Sequence, residues 1–326
     1  MGRLFLDFPG GLSIELRNNW AQIVTPSSSV EESEFGPRTQ RDQNDTDLIL
    51  GYKLSKRFEL EAGLLHTNII YKEPVNDTEN HRDDIGRFTI YYRIFPKTSA
   101  LLETRIGRVN FTSTTGVAFI DSLVFRGDDT SEDSRFQEIN LGLRFDPGGK
   151  LSGSLRMGMQ FRQFINRYGP NIFDPITGTS RPGQMDDAVI FSINSTLVWN
   201  ISERRRVDLT VFRGIEESAF IGNNYWVSTR FTLSLSQDIG RKITVHPTLR
   251  WESGTFPGCT NDARASIPGM LRTRHDTTFQ PGLELRYQMR EWLAFYFNYN
   301  YRLRDSNFHD RESRRQQFSA GLAIIY

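Results

Sequence analysis

Arginines and carboxylates recur at every second position through this chain, and that spacing is its first chemical signal. One parity collects Arg93, Arg144, Arg156, Arg162, Arg230, Arg250, Arg286 and Arg302 with Glu61, Glu138, Glu252 and Glu284. Cations and acids on one face of adjacent strands can form cross-strand ladders along a wetted wall. Two chemistries fit such a wall. Unpaired Arg rows would select ions or sugars and favour an acidic polymer, whereas mutually neutralised pairs would only hold the wall in shape. Tyr91, Trp226 and Tyr296 share the same parity. Their rings are candidates for stacking on the apolar faces of sugars, with space-filling as the plain alternative.

Other constellations are weaker. Asp128, Asp129, Glu132 and Asp133 crowd one polar stretch, where hard cations find oxygen ligands but where a solvated loop is the simpler reading. His66, His81, His246, His275 and His309 lack metal-ligand spacing, and Cys259 is the only cysteine, so no metal site, cofactor or disulfide framework is expected. No nucleophile elbow, phosphate loop or dinucleotide fingerprint occurs. His81, His275 and His309 do lie near Asp83, Asp84, Asp276 and Asp310. A rim-acting enzyme is therefore a third alternative, behind a non-enzymatic passage.

The elements that must carry these residues are strands. From Trp292 to Arg304, Leu293, Phe295, Phe297, Tyr299, Tyr301 and Leu303 alternate with Ala294, Tyr296, Asn298, Asn300, Arg302 and Arg304. Side chains alternate across a strand, so one face is apolar and the other polar. The same unit recurs from Leu12 to Tyr326, as in Phe88, Ile90, Tyr92 and Ile94, and in Leu155, Met157, Met159 and Phe161. Tight turns such as Ser55-Lys56-Arg57, Pro96-Lys97-Thr98 and Gly240-Arg241-Lys242 alternate with long polar stretches such as Thr25 to Asp45 and Ser253 to His275. Segments Leu101–Val109 and Val207–Arg213 alternate least clearly.

Composition agrees. Hydrophobic residues make up 37% of 326, mean hydropathy is −0.48, and no run reaches the roughly 18 apolar residues of a membrane helix. A membrane barrel tolerates this, because only alternate residues face lipid, and 24 Phe with 11 Tyr suit its outer surface and interfacial girdles. A net charge of +1 points to no nucleic-acid partner. The expected fold is all-β: one closed, antiparallel, up-and-down transmembrane barrel over residues 1–326, with short periplasmic turns and long extracellular loops. The pattern gives about 14 strands, within a range of roughly 12–16 set by boundary error. Both chain ends would fall at the short-turn end, so the first and last strands would pair. No plug domain is visible, and no signal-peptide core opens the chain at Met1-Gly2-Arg3. A large soluble β protein, with its apolar faces turned inward, is the alternative.

Assembled, the chain resembles the β-barrel porins encoded in bacterial exopolysaccharide and capsule gene clusters. The similarity rests on phrases such as DLILGYKLSKRFELEAGL, RFTIYYRIFPKTSALLETRIG, EINLGLRFDPGGKLSGSLRMGMQFRQF, ERRRVDLTVFRGIEESAF and FYFNYNYRLRDSNF, and covers the chain from about Asp47 onward. The resemblance implies a non-enzymatic barrel in the outer membrane of a Gram-negative bacterium. It would serve export of a polysaccharide as conduit or accessory, with outer-membrane lipid, lipopolysaccharide, the polymer and the export machinery as partners. A channel for small or hydrophobic solutes is the alternative. No catalytic residues come with the resemblance.

Overall fold

The protein is seen in a computed structural model. It describes residues 2–26, 38–72, 80–112, 117–120, 123–126, 133–146, 148–165, 168–174, 179–184, 187–220, 223–257, 273–308 and 311–324. Nineteen strands are described: β1 (Gly2–Asp7), β2 (Leu12–Pro26), β3 (Arg38–Lys53), β4 (Phe58–Tyr71), β5 (His81–Phe95), β6 (Thr98–Phe111), β7 (Val117–Ile120), β8 (Leu123–Arg126), β9 (Ser134–Phe145), β10 (Leu151–Phe164), β11 (Tyr168–Asp174), β12 (Thr179–Gln184), β13 (Ala188–Ser202), β14 (Arg205–Phe220), β15 (Asn223–Ile239), β16 (Ile243–Phe256), β17 (Arg274–Arg290), β18 (Leu293–Ser306) and β19 (Ser313–Ile324). Fifteen of them form one antiparallel meander, each hydrogen-bonded to its chain neighbours in that sheet. The pairs β7–β8 and β11–β12 are separate hairpins inserted between β6 and β9 and between β10 and β13. Both weakly alternating segments, in β6 and β14, are full members of the main sheet.

Burial is inverted relative to a soluble protein. Leu64, Leu141 and Phe318, on the apolar parity, are each 63% exposed, whereas Glu138 is 4% exposed and Thr89 fully buried on the other face. Apolar faces therefore point outward, which disposes of the soluble alternative. Cross-strand rows such as Ile14–Leu50–Ala62–Phe88 and Leu16–Leu48–Leu64 run around this outer surface. Rows of this kind form the apolar outer surface that bacterial outer-membrane barrels present to lipid, a band roughly 25 Å tall in that class. Aromatic pairs punctuate it, Phe58 with Tyr92 at 5.0 Å and Tyr299 with Phe318 at 4.8 Å between ring centres. The sheet curls on itself: Gln160 on β10 accepts a hydrogen bond from the Ile215 amide of β14 at 3.2 Å, and Phe164 stacks on Tyr225 at 5.1 Å.

Three expectations are corrected. A short strand, β1, precedes the predicted first strand and pairs with β2 through a turn in which Gly10 and Gly11 take φ of 97° and 88°. The main sheet then has fifteen strands, an odd number, and β1 and β19 run in the same direction. They are the two edges of the sheet and share no register among the described residues, so the expected antiparallel pairing of first and last strands is not formed. The stretches read as long polar loops are also shorter than expected. β2 and β3 stay paired out to Pro26 and Arg38, deep into the stretch from Thr25 to Asp45. Alternation ends where lipid ends, but the hydrogen-bonded ladder continues above it.

Candidate inner-face site

The registers place all twelve predicted charged residues on the inner face. On the β3–β10 side they form a braced lattice. Arg144 on β9 reaches over β6 and β5 to Glu59 on β4, donating at 3.0 and 2.7 Å. Its guanidinium also covers the Tyr91 ring at 3.7 Å and approaches Asp146 at 3.5 Å. Arg93 reaches the same Asp146 at 3.6 Å. Arg156 on β10 passes over β9 to Glu103 on β6 at 3.3 Å, and Arg87 on β5 passes over β4 to Asp47 on β3 at 3.1 Å. Glu61 lies 3.8 Å from Arg87. Glu138 accepts from Arg105 and from Asn140, both at 3.0 Å, and Asn140 also donates to Glu103 at 3.1 Å. Arg162 donates to Ser134 at 2.9 and 2.7 Å. A buried carboxylate is tolerable only when paired in this way.

The β15–β19 side differs. Its central inner row reads Ser234, Thr248, Gly282, Asn300 and Gln317, with no charge. Charges stand in the inner rows on either side of it, Arg250 and Arg302 toward the loops and Glu284 toward the turns. Arg230 pairs with Glu216 and lies 3.9 Å from Glu252, which also accepts from Arg250 at 2.9 Å. Arg302 donates to Gln280 at 2.9 Å. Arg286 donates to Gln288 at 3.2 Å near the turns, where Glu284 is exposed. At the loop end Asp276 is fully buried, accepting from Arg304 at 2.6 Å and from Ser306 at 2.6 Å, with Arg274 at 3.2 Å. Arg274 lies 3.8 Å over Phe256, which stacks on Trp226 at 5.2 Å.

Between β2–β5 and the facing strand β14 is an inner cavity of ≈ 690 Å³. Arg17, Asp45, Asp47, Asp83, Phe212 and Glu216 are among its walls. Asp45 accepts from Thr67 at 2.9 Å and from Gln43 at 3.1 Å, so the cavity presents polar side chains already held in place. The volume falls within the roughly 300–1,000 Å³ of ligand pockets. Sequence reading missed the cavity as a unit. Arg41, Gln43 and Asp45 sit above the lipid band, where both parities are polar and no alternation marks the inner face.

The aromatic candidates need correction. Tyr91 is 3% exposed beneath Arg144, and Trp226 is 1% exposed against Phe256. Neither ring offers an open face to a sugar. Tyr296 is half-buried, and its ring and hydroxyl lie where a side chain on Gly321 would be. The His–Asp proximities divide: Asp84 binds His66 at 2.7 Å on the outer face, while His81 packs inward against Phe111 at 5.1 Å and lines the inner cavity together with Asp83. His275 is exposed and Asp276 buried on opposite faces of β17. Asp128, Asp129, Glu132, Cys259, His309, Asp310 and Tyr326 lie outside the described residues. Among the described residues no group of three His, Cys, Asp or Glu is arranged to hold a metal ion.

Comparison with known proteins agrees with this geometry. Residues 121–326, more than half of the chain, match the family described as "Putative beta-barrel porin 2", and the chain belongs to that family. No curated protein matches it in sequence. Among solved structures it is similar to the FrpB iron transporter from Neisseria meningitidis (F5-1 variant), at 10% identity and a TM-score of 0.51, covering 99% of this chain and 57% of that one. The alcaligin outer membrane receptor FauA from Bordetella pertussis is similar over 98% of this chain and 55% of its own, at 11% identity and a TM-score of 0.45. The chain thus spans little more than half the length of the solved barrels it matches. At such identities the likeness is one of fold. The porin family and the outward-facing apolar side chains place the protein in the bacterial outer membrane.

Proposed function

We propose that this porin-family barrel is a non-enzymatic passage for a polyhydroxylated solute, with the polymer of an exopolysaccharide or capsule as its cargo. The observation that carries the reading is the inner cavity of ≈ 690 Å³, whose Asp45, Gln43 and Thr67 side chains are pre-positioned hydrogen-bonding groups. The uncharged row from Ser234 to Gln317 supports it as a second surface suited to hydroxyl groups. Acidic cargo is disfavoured, because Arg144, Arg156, Arg230 and Arg250 already face carboxylates. The link to polymer export comes from the resemblance of the strand-turn-strand phrases. In that role the partners are the polymer, the export machinery and the surrounding lipopolysaccharide.

The test is conductance in planar bilayers with neutral oligosaccharides of increasing length. Ion current that the sugars block saturably, and block less in Asp45→Asn/Asp83→Asn protein, is the expected result. A pore whose current ignores sugars would replace this reading with a channel for small or hydrophobic solutes. A silent barrel that also fails to release oligosaccharide from liposomes would end the passage reading altogether.

A further inference from the structure

One outer-surface row departs from the apolar band. Across β4, β5, β6, β9 and β10 the registers align His66, Asp84, Arg108, Arg135 and Gln163 side by side. The row just below it toward the turns reads Leu64, Gly86, Ile106, Gln137 and Phe161. The polar row therefore sits at the loop-side boundary of the lipid-facing band, the extracellular side of a bacterial barrel.

Arg108 and Arg135 are direct cross-strand partners, and both are exposed. Like charges placed opposite one another repel. Neither makes a side-chain hydrogen bond or ion pair among the described residues, and Asp84, opposite Arg108, is engaged by His66 at 2.7 Å. The pair overlooks a surface groove of ≈ 750 Å³ lined by Asp84, Arg108, Arg135 and Gln163, with Ile106 and Phe161 among its apolar walls.

From this juxtaposition we infer a binding site for the phosphorylated headgroup of an outer-leaflet glycolipid. Two guanidinium forks match the charge and the oxygen geometry of a phosphate. Ile106 and Phe161, one step deeper in the membrane, take the first segment of an acyl chain. The bound phosphate relieves the repulsion between Arg108 and Arg135, so the lipid ties β6 to β9 at the point where they leave the bilayer. The apolar wall and the level of the row favour a lipid over free phosphate.

The inference is tested with full-chain protein in phosphatidylcholine nanodiscs, with bound lipid counted by native mass spectrometry. The probes are bisphosphorylated lipid A, the same lipid after dephosphorylation, and inorganic phosphate as competitor. Retention of phosphorylated lipid A should fall at least about tenfold in Arg108→Gln/Arg135→Gln protein, the loss expected for charge-assisted hydrogen bonds. Dephosphorylated lipid should be held weakly by both proteins. Arg213→Gln, at an outward position elsewhere on the wall, should retain lipid A as wild type does. Should the double variant lose its heat-modifiable band, Arg135→Gln alone carries the comparison. Equal retention by wild type and variant, or an equal loss in Arg213→Gln, would overturn the site. Displacement by equimolar inorganic phosphate would show an anion site without a lipid role, and would overturn it as well.

Discussion

The two inner walls of this barrel use the same backbone for opposite ends. On β3–β10, long Arg side chains cross over intervening strands to reach their acids, as Arg144 does to Glu59 and Arg156 to Glu103. These contacts tie together strands that share no ladder. On β15–β19 the central row is Ser, Thr, Gly, Asn and Gln, and the ion pairs described above run within a strand or between adjacent strands, the latter as Arg230 does to Glu216 and Arg304 to Asp276. A wall built of braces resists deformation but offers a solute few groups that are not already engaged. A wall of short neutral side chains does the reverse. Charge on an inner face is therefore not by itself a mark of a selective passage, since pairing can make it scaffolding.

The largest test of that contrast removes a brace. In Glu138→Ala the half-buried Arg105 and the buried Asn140 lose their shared, buried acceptor. Breaking a buried pair in this way should cost about 3–5 kcal/mol. Asn298→Ala, on the neutral wall, should cost no more than about 0.5 kcal/mol. Denaturant unfolding in detergent, followed by tryptophan fluorescence, measures both. Comparable midpoints for the two variants would mean the lattice is not structural.

A second test uses adjacent residues of β15. Leu233 faces outward and Ser234 inward. Leu233→Arg puts a charge toward lipid and should destabilise by about 2–4 kcal/mol if it lies near the bilayer midplane. Ser234→Arg places the same side chain on the neutral inner wall, where the change in stability should stay within about 0.5 kcal/mol. In bilayers, Ser234→Arg should instead move the reversal potential toward anion preference. The reverse ranking of stabilities would turn the sheet inside out.

How much of this was readable in advance follows from what hydrophobic periodicity reports. Lipid imposes a period of two, so the strand segments inside the band and the inner parity of all twelve charged candidates could be read directly. Above the band both faces meet water. Asp42 to Asp47 shows no alternation, yet it is strand and lines the cavity through its odd-numbered positions. The brief β1 has too few residues to establish a period. Pairing across intervening strands is a property of the curled sheet, so neither the cover of Arg144 on Tyr91 nor the burial of Trp226 had a local signature. Parity distinguishes inside from outside, but not open from occupied.

The finest contrast between the walls lies in their glycines. A Cβ on Gly142 would stand 1.9 Å from the Leu155 carbonyl oxygen, and one on Gly158 1.9 Å from that of Ile139. These obstacles are backbone, so β9 and β10 must separate before either glycine can be replaced. On the neutral wall, a Cβ on Gly282 would meet only the tips of Asn300 and Thr248, at 2.6 Å, and both can rotate away. Gly142→Ala should therefore cost about 1–3 kcal/mol as overpacking. Gly282→Ala should lie between neutral and a gain of about 0.5–1 kcal/mol, because alanine loses less conformational freedom than glycine on folding. The temperature at which the folded band converts on a gel ranks the two. If Gly142→Ala converts no earlier than Gly282→Ala, the close approach of β9 and β10 is not what requires glycine there, and the stiffness assigned to the braced wall must come from its ion pairs alone.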